Sequence, residues 1–495
     1  MTTVIDAYEE RDVMSLDVPN AFIQTLMPSG EDDERVFMKI TGVLVDMLVQ
    51  VDPARYGPYV VYENGRKVLY VQLLRVIYGM IQAALLWYQK FRKDLEGIGF
   101  KFNPYDGCVA NRTVNKKQHT IRFHVDDLLS SHVDKAVNDK FEKWLQKMYG
   151  THGKVVAVRG REHTYLGMKI RFNENRTVEV DMREYVGEMI EDLPFKLKST
   201  DIATSPAGDN LFSLGANKPI DKKRADTYHS IVAKGLFVCK RARPDIQPTV
   251  AVLCSRVQRP NEGDWQKLIR MLKYLNGTRN QVMTMSSDNL QVIKWYVDAS
   301  FAVHPDFKSH TGGVMKWGDN GRGTIIGMSR KQKLNTRSST EAELVGVDDM
   351  ATMILWTKLF LEEQGYRIRK NILYQDNKSA ILLEENGKRS SGKRTRALNI
   401  RYFFITDQVE KGNVSIEYCP TDEMFGDFMT KPTQGQKFKY FRDELMGIKW
   451  GNDNGNPKVR GRNYRSGTDV KGRIEKRKNL NKDLGVKRKK KPLSQ

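Results

Sequence analysis

The stretch Thr120-Ile121-Arg122-Phe123-His124-Val125-Asp126-Asp127-Leu128-Leu129 alternates apolar and polar residues, then turns on two adjacent carboxylates. Period-two alternation marks a strand with one face on a core. Ile121, Phe123 and Val125 face one way; Arg122, His124 and Asp126 face the other. An Asp-Asp pair in a hairpin turn is common for conformational reasons alone. The pair gains meaning only from a partner elsewhere. Val13-Met14-Ser15-Leu16-Asp17 supplies one: a second apolar strand ending in an acid, followed by Val18-Pro19-Asn20-Ala21-Phe22. Pro19 suits the start of a helix. Strand-end carboxylates from two strands can hold two divalent ions about 3.5–4 Å apart, the arrangement used for in-line phosphoryl displacement. Mg2+ suits such a site, because it prefers carboxylates, waters and substrate phosphates.

A second constellation lies further on. Gln291 to Ser300 places Asp298 at the end of an apolar strand, and Asn371 to Asn377 does the same for Asp376. Ser338-Ser339-Thr340-Glu341-Ala342-Glu343-Leu344 opens a long helix expected over Thr340–Gln364, ended by Gly365. Glu343 and Val347 share its sheet-facing side. Asp427 lies on a short final helix. Four carboxylates from strand, helix, strand and helix suffice for a two-metal nuclease site. Glu341, Asp348 and Asp349 read as helix-surface or first-turn charges.

The chain has 495 residues, with 82 Lys and Arg against 60 Asp and Glu, a net of +22. With 40% apolar residues, low complexity is excluded. That length suits about two to four domains. No run reaches roughly 18 uncharged apolar residues, so no membrane span is expected. The start has no basic region before an apolar core, so no secretory leader is expected. Residues 457–495 hold 15 Lys and Arg against 3 acids, a net of +12, which leaves +10 for the rest. Such a tail is expected to be disordered and to favour polyphosphate, through counterion release. Its last cluster, Lys487 to Pro492, also fits a nuclear import signal. Cys108, Cys239, Cys254 and Cys419 lie far apart, with no zinc spacing, and read as reduced, mostly buried thiols.

At this point a family resemblance emerges. Asp17-Val18-Pro19-Asn20-Ala21-Phe22 resembles the first palm motif of copia-type retrotransposon reverse transcriptases. His124-Val125-Asp126-Asp127 resembles their aromatic-Val-Asp-Asp hairpin. Ile77 to Ala83 with Trp87-Tyr88, Tyr165 to Met168, Arg243 to Ile246 and Tyr274 to Thr278 are also similar, in order and spacing. Ser338 to Glu343, Tyr374 to Asn377 and Thr430-Lys431-Pro432 resemble the ribonuclease H of the same polyprotein. The resemblance covers about residues 12 to 447.

It implies a mixed α/β (α+β) chain with a palm at 1–175, a mostly helical thumb or connection at 176–287, a ribonuclease H-like mixed-sheet domain at 288–447 and the basic tail at 448–495. It implies RNA-directed DNA polymerase activity at Asp17 and Asp126, with Asp127 supporting. Phe22 falls at the sugar-selecting position, and Gln82 falls in the substrate-binding segment. It implies hybrid-specific RNA cleavage at Asp298, Glu343, Asp376 and Asp427. Mg2+, two per site, is the implied cofactor, with Mn2+ as an alternative. The implied partners are an RNA template, a DNA primer, an RNA:DNA hybrid and deoxynucleotides. The implied location is intracellular, in a cytoplasmic particle or the nucleus. Residues Ser309 to Gly313, with His310 in an exposed loop, are candidates for strand contact.

Three departures stand out. About 16 residues precede Asp17, so the fingers region that leads the family's palm is expected to be missing. Ile81 replaces the usual Lys and Ala84 the usual Pro. Ala397 stands where the family usually carries His. The missing fingers would remove charge neutralisation at the triphosphate. Hybrid cleavage is therefore expected to exceed DNA synthesis. The alternative is a catalytically impaired relic that only binds nucleic acid.

Overall fold

The hairpin of Lys117–His124 and Asp127–His132 forms the middle of a six-stranded antiparallel sheet. Its strand order is Lys101–Asn103, Asp106–Val114, Lys117–His124, Asp127–His132, Asp12–Asp17, Val156–Arg159. The computed structural model describes residues 1–28, 35–215, 218–387 and 404–448. The basic tail and Ala397 lie outside the described residues.

Two helices cover one face of the sheet. Ala83–Gly97 buries Ala83, Trp87, Phe91 and Leu95 at four-residue spacing. Lys135–Tyr149 buries Val137, Phe141, Leu145 and Tyr149 in the same way. The Asp134 side chain caps the second helix, accepting from the Ala136 amide at 2.9 Å. Both stripes meet Met14, Leu16, Ile121, Phe123 and Leu128. Each large side chain buried there stabilises by roughly 1.5–3 kcal/mol, so packing rather than helix propensity fixes these helices.

The other face is covered too. Val13, Val109 and Leu129 belong to a second core that runs through the unit to Met446. A four-stranded sheet of Glu162–Tyr165, Met168–Phe172, Val178–Asp181 and Met283–Met285 contributes to it. The boundary expected at 175/176 falls inside this sheet. Phe172 pairs with Val178, and Val180 with Met283. Residues 1–448 form one compact unit.

Pro19 does not start a regular helix. Asn20 takes φ +53°, and only a three-residue 3-10 turn, Phe22–Gln24, follows. Gln24 is buried and donates to the carbonyls of Pro19 and Tyr149, at 3.1 and 2.9 Å, which fixes the irregular course.

A small separate sheet, ordered Phe37–Thr41, Arg66–Gln72, Val61–Glu63, carries the helix Val43–Val51. This region leaves Val43, Leu44, Met47, Val51, Tyr62 and Ile81 exposed.

The last sheet is ordered Ile326–Lys331, His310–Trp317, Val292–Ser300, Lys370–Gln375, Ser415–Tyr418. The first three strands are antiparallel and the last two join in parallel. The helix Ser339–Glu363 packs across it, its N-terminus capped by Ser338. That helix's far end docks on the first sheet: Asn103 Nδ2 donates to the Phe360 carbonyl at 3.0 Å and Trp356 Nε1 to the Tyr105 carbonyl at 2.9 Å. Two glycines allow the helix Phe425–Thr430 to lie directly on the strands. A Cβ on Gly312 would meet the Gly426 carbonyl at 2.7 Å, and one on Gly426 would meet the Asp298 amide at 2.8 Å.

Candidate active sites

Asp17 ends its strand directly opposite Asp127 in the antiparallel register. The Val18 amide donates to the Asp126 carbonyl at 3.3 Å, tying the two strand ends together. The turn between His124 and Asp127 puts Val125 at φ +58°. A β-branched side chain in the left-handed region is costly, on the order of 1–3 kcal/mol. Buried Trp87 holds the strained turn, its Nε1 donating to the Val125 carbonyl at 2.6 Å. The strand ends thus set Asp17 beside the hairpin's Asp126 and Asp127. Burial raises the Asp17 carboxyl above its ordinary range, with Asp126 and Asp127 adding. Asp127 shifts the same way, through burial and Asp126.

Phe22 meets Tyr78 edge-on at 4.6 Å. The Tyr78 hydroxyl is raised by burial and by Asp126 and Asp17, which places both rings beside the acids. Gln82 stands exposed at the N-cap of Ala83–Gly97 with no side-chain cap bond.

The second cluster is deeper. Asp298, Glu343 and Asp427 are only 2%, 5% and 3% exposed, while Asp376 is half-buried. Among the described residues, Asp298, Glu343 and Asp376 are the one group whose ligand atoms all lie within 4.8 Å of one another. Burial pushes the Asp298 carboxyl up to about 6; Lys431 opposes this and Asp427 adds to it. Glu343 is pushed well above the carboxylate range by burial, then by Asp298, Asp376 and Glu384. Thr430 Oγ1 hydrogen-bonds Asp298 Oδ2, and Thr421 Oγ1 donates to Asp376 Oδ2 at 2.9 Å. Asp427 is held by Lys431 and, at 3.4 Å, by Lys437.

Sequence reasoning passed over three residues here. Gln375, fully buried, donates to Glu343 at 3.5 Å and accepts from the Asp376 amide at 2.9 Å, so it spaces two of the acids. Its signal was present in the strand end Tyr374-Gln375-Asp376. Glu384 is fully buried with neither oxygen hydrogen-bonded, and burial pushes it up to about 8. In the sequence Glu384-Glu385 reads as a solvated helix pair. In the sequence Lys431 reads only as part of the Thr430-Lys431-Pro432 motif, with no signal of its pairing.

The strand-contact expectation for residues 309–313 is corrected. They lead into the interior strand His310–Trp317 and are buried, so nucleic acid cannot reach them. His310 accepts or donates at 2.9 Å to His304 and at 2.8 Å to Ser329, in a buried chain ending on the Met429 carbonyl. Burial lowers His310 to about 3, so the chain is neutral. Glu341 lies in its helix's first turn, and Asp349 pairs with Arg330 and accepts from Thr311 at 2.9 Å. Cys239 and Cys419 are buried thiols, both pushed up to about 12 by burial. No described helix is long and apolar enough to cross a membrane.

The family model described as reverse transcriptase (RNA-dependent DNA polymerase) matches residues 1–207. The chain is 26% identical over 452 residues to the retrovirus-related Pol polyprotein from transposon TNT 1-94 of Nicotiana tabacum, covering 88% of this chain and 31% of that one. It is 27% identical over 439 residues to the Pol polyprotein from transposon RE1 of Arabidopsis thaliana, covering 88% and 27%. It thus spans less than a third of either relative's length. A foamy viral protease-reverse transcriptase in complex with RNA/DNA hybrid aligns at 12% identity and TM-score 0.45, covering 90% of this chain and 46% of that one.

Proposed function

We propose that this chain, which belongs among the copia-type Pol polyproteins and carries their reverse transcriptase segment, holds two separate phosphoryl-transfer centres. One is an RNA-directed DNA polymerase centre at Asp17, Asp126 and Asp127. The other cleaves the RNA strand of an RNA:DNA hybrid at Asp298, Glu343, Asp376 and Asp427. The observation that carries the reading is the second cluster. Asp298, Glu343 and Asp376, from three separate elements, lie within 4.8 Å of one another, Asp427 shares Lys431 with Asp298, and burial raises the Asp298 and Glu343 carboxyls above their ordinary range. Such crowding is stable as a charged site only with cations present.

The donor set fits a hard divalent cation: carboxylate oxygens, with Asp376 open to solvent. Asp298, Glu343 and Asp376 would hold one ion, with Asp298 and Asp427 reaching a second. Asp17 and Asp126 would hold the pair in the palm, with Asp127 beside them. When bound, Mg2+ or Mn2+ supplies an activated nucleophile and neutralises the leaving oxygen. The protein's own part is positioning. Gln375 and Thr421 orient Glu343 and Asp376, and Thr430 orients Asp298. In the palm, Trp87 fixes the hairpin and Phe22 stands where its bulk would exclude a 2′-hydroxyl. Deoxynucleotides, an RNA template and a DNA primer are the matching substrates.

Primer extension and cleavage of a labelled RNA:DNA hybrid, each with and without chelator, test the reading. Metal-dependent hybrid cleavage supports it; absence of both activities across Mg2+ and Mn2+ overturns it. The second reading, a catalytically impaired relic that only binds nucleic acid, predicts hybrid binding with neither extension nor cleavage in Mg2+ or Mn2+.

A further inference from the structure

The cation nearest the buried acids is part of the chain. Lys431 Nζ pairs with Asp427 and lies 3.6 Å from Asp298 Oδ2. It therefore bridges the two most buried aspartates of the cluster, which are 2% and 3% exposed. Among the described residues, the ion pairs of the four acids go to Asp298 and Asp427; Glu343 and Asp376 are held by neutral donors instead. Asp298 is thus shared between a lysine-paired side, with Asp427, and a side without a lysine, with Glu343 and Asp376.

Three features explain this placement. Lys431 follows Asp427 by four residues, which stacks the two side chains on one face of the short helix Phe425–Thr430. The helix ends at Lys431, whose backbone turns extended before Pro432, so the stem points back over the acids. The Lys431 side chain remains 46% exposed, which leaves the ammonium a route to water.

We propose that Lys431 is a tethered counter-ion that occupies the second cation position between Asp298 and Asp427 and must swing out before a divalent ion can enter there. The inference rests on the nuclease reading of this cluster. Lys431 keeps two buried carboxylates from repelling each other while the position is empty. It also sets the order of loading. The Asp298–Glu343–Asp376 half fills first, and the Asp427 half fills only when something draws the lysine away. A phosphate of the bound hybrid is the natural attractor, since an ammonium released from carboxylates can pair with it. Lys431 is therefore a positioning residue that couples substrate arrival to completion of the metal pair.

Counting bound Mn2+ by electron paramagnetic resonance, without turnover, tests this on the whole chain. Wild type should bind one ion well and a second weakly at the nuclease cluster. Lys431→Met keeps the stem and removes the charge, and it should tighten the second ion by roughly fivefold to tenfold, the worth of a partly exposed ion pair. Lys431→Arg retains the charge and should behave as wild type. Lys431→Gln is the second neutral variant, and a thermal melt checks that each variant folds. The palm ions are removed from the count by making every variant on an Asp17→Asn, Asp126→Asn background.

Second-ion affinity that is unchanged or weaker in both neutral variants overturns the proposal and leaves the nuclease reading standing. Mn2+ binding that is insensitive to Asp298→Asn in every variant overturns the nuclease reading, and the counter-ion role with it.

Discussion

The two acidic centres solve the same electrostatic problem in opposite ways. In the palm, Asp17 stands at a strand end beside Asp126 and Asp127, partly in water, next to a turn strained at Val125. In the second cluster Asp298, Glu343 and Asp427 are taken out of water, and Lys431 and Lys437 pair with the two aspartates. A partly exposed trio can tolerate its own repulsion better, because water screens it. A buried cluster cannot, so it carries protons and lysines until divalent cations replace them. The palm should therefore be limited by how rigidly the hairpin is held, and the second cluster by what neutralises it.

The largest expected effect separates the two. Asp126→Asn should lower primer extension by roughly 10²–10³-fold and leave hybrid cleavage near wild type, whereas Asp298→Asn should do the reverse; the magnitude is that of losing one charged group aimed at the reacting phosphate. Single-turnover assays on both substrates decide it. If either substitution depresses both activities equally, the centres are not independent.

How much of this was readable in the sequence depends on range. The hairpin was legible because alternation is local: Ile121 and Phe123 are in the core, and the turn falls at Val125-Asp126. The long helix, expected over 340–364, runs Ser339–Glu363, since its Ser338 cap and Gly365 at φ +85° are local signals too. The four-stranded sheet was not legible. Its last strand, Met283–Met285, is three residues long and pairs with Val178–Asp181 about a hundred positions earlier. Ser309-His310-Thr311 looked like a polar loop. It is a core strand because Gly312 and Gly313 let a helix and Met350 close over it. Each acid of the second cluster could be placed at a strand end or on a helix. Their spacing by Gln375 and their neutralisation by Lys431 depend on contacts that no local pattern encodes.

The intermediate effect concerns pH and only the buried cluster. Asp298 and Glu384 have folded values of about 6 and about 8, above their ordinary 3.8 and 4.5, and Glu343 is raised as well. The folded state therefore holds more protons than the unfolded state between about pH 4 and pH 8, so stability falls as pH rises through that window. In chelator, denaturant titrations should show a loss on the order of a few kcal/mol across it. Glu384→Gln should flatten the upper part, and Asp298→Asn the lower part. Added divalent cation should restore stability at high pH for wild type and Glu384→Gln. A flat profile for wild type would remove the claim that the second cluster differs from the palm in its need for neutralisation.

The smallest effect sharpens the palm side. Trp87→Phe keeps an aromatic ring against Phe91, now 5.3 Å away and stacked, and against Tyr149, but removes the donor to Val125. Val125 is half-buried, so its freed carbonyl can take a water, and the stability loss should be only about 1 kcal/mol. The turn it holds is strained, however, and it carries Asp126. A loss of the tether should let Val125 relax toward negative φ and move the acid. Primer extension should fall severalfold while hybrid cleavage holds, because the second cluster shares no element with this hairpin. Parallel decline of the two activities would instead mean that Trp87 acts through the common core, and the palm would lose its distinction as the centre governed by backbone rigidity.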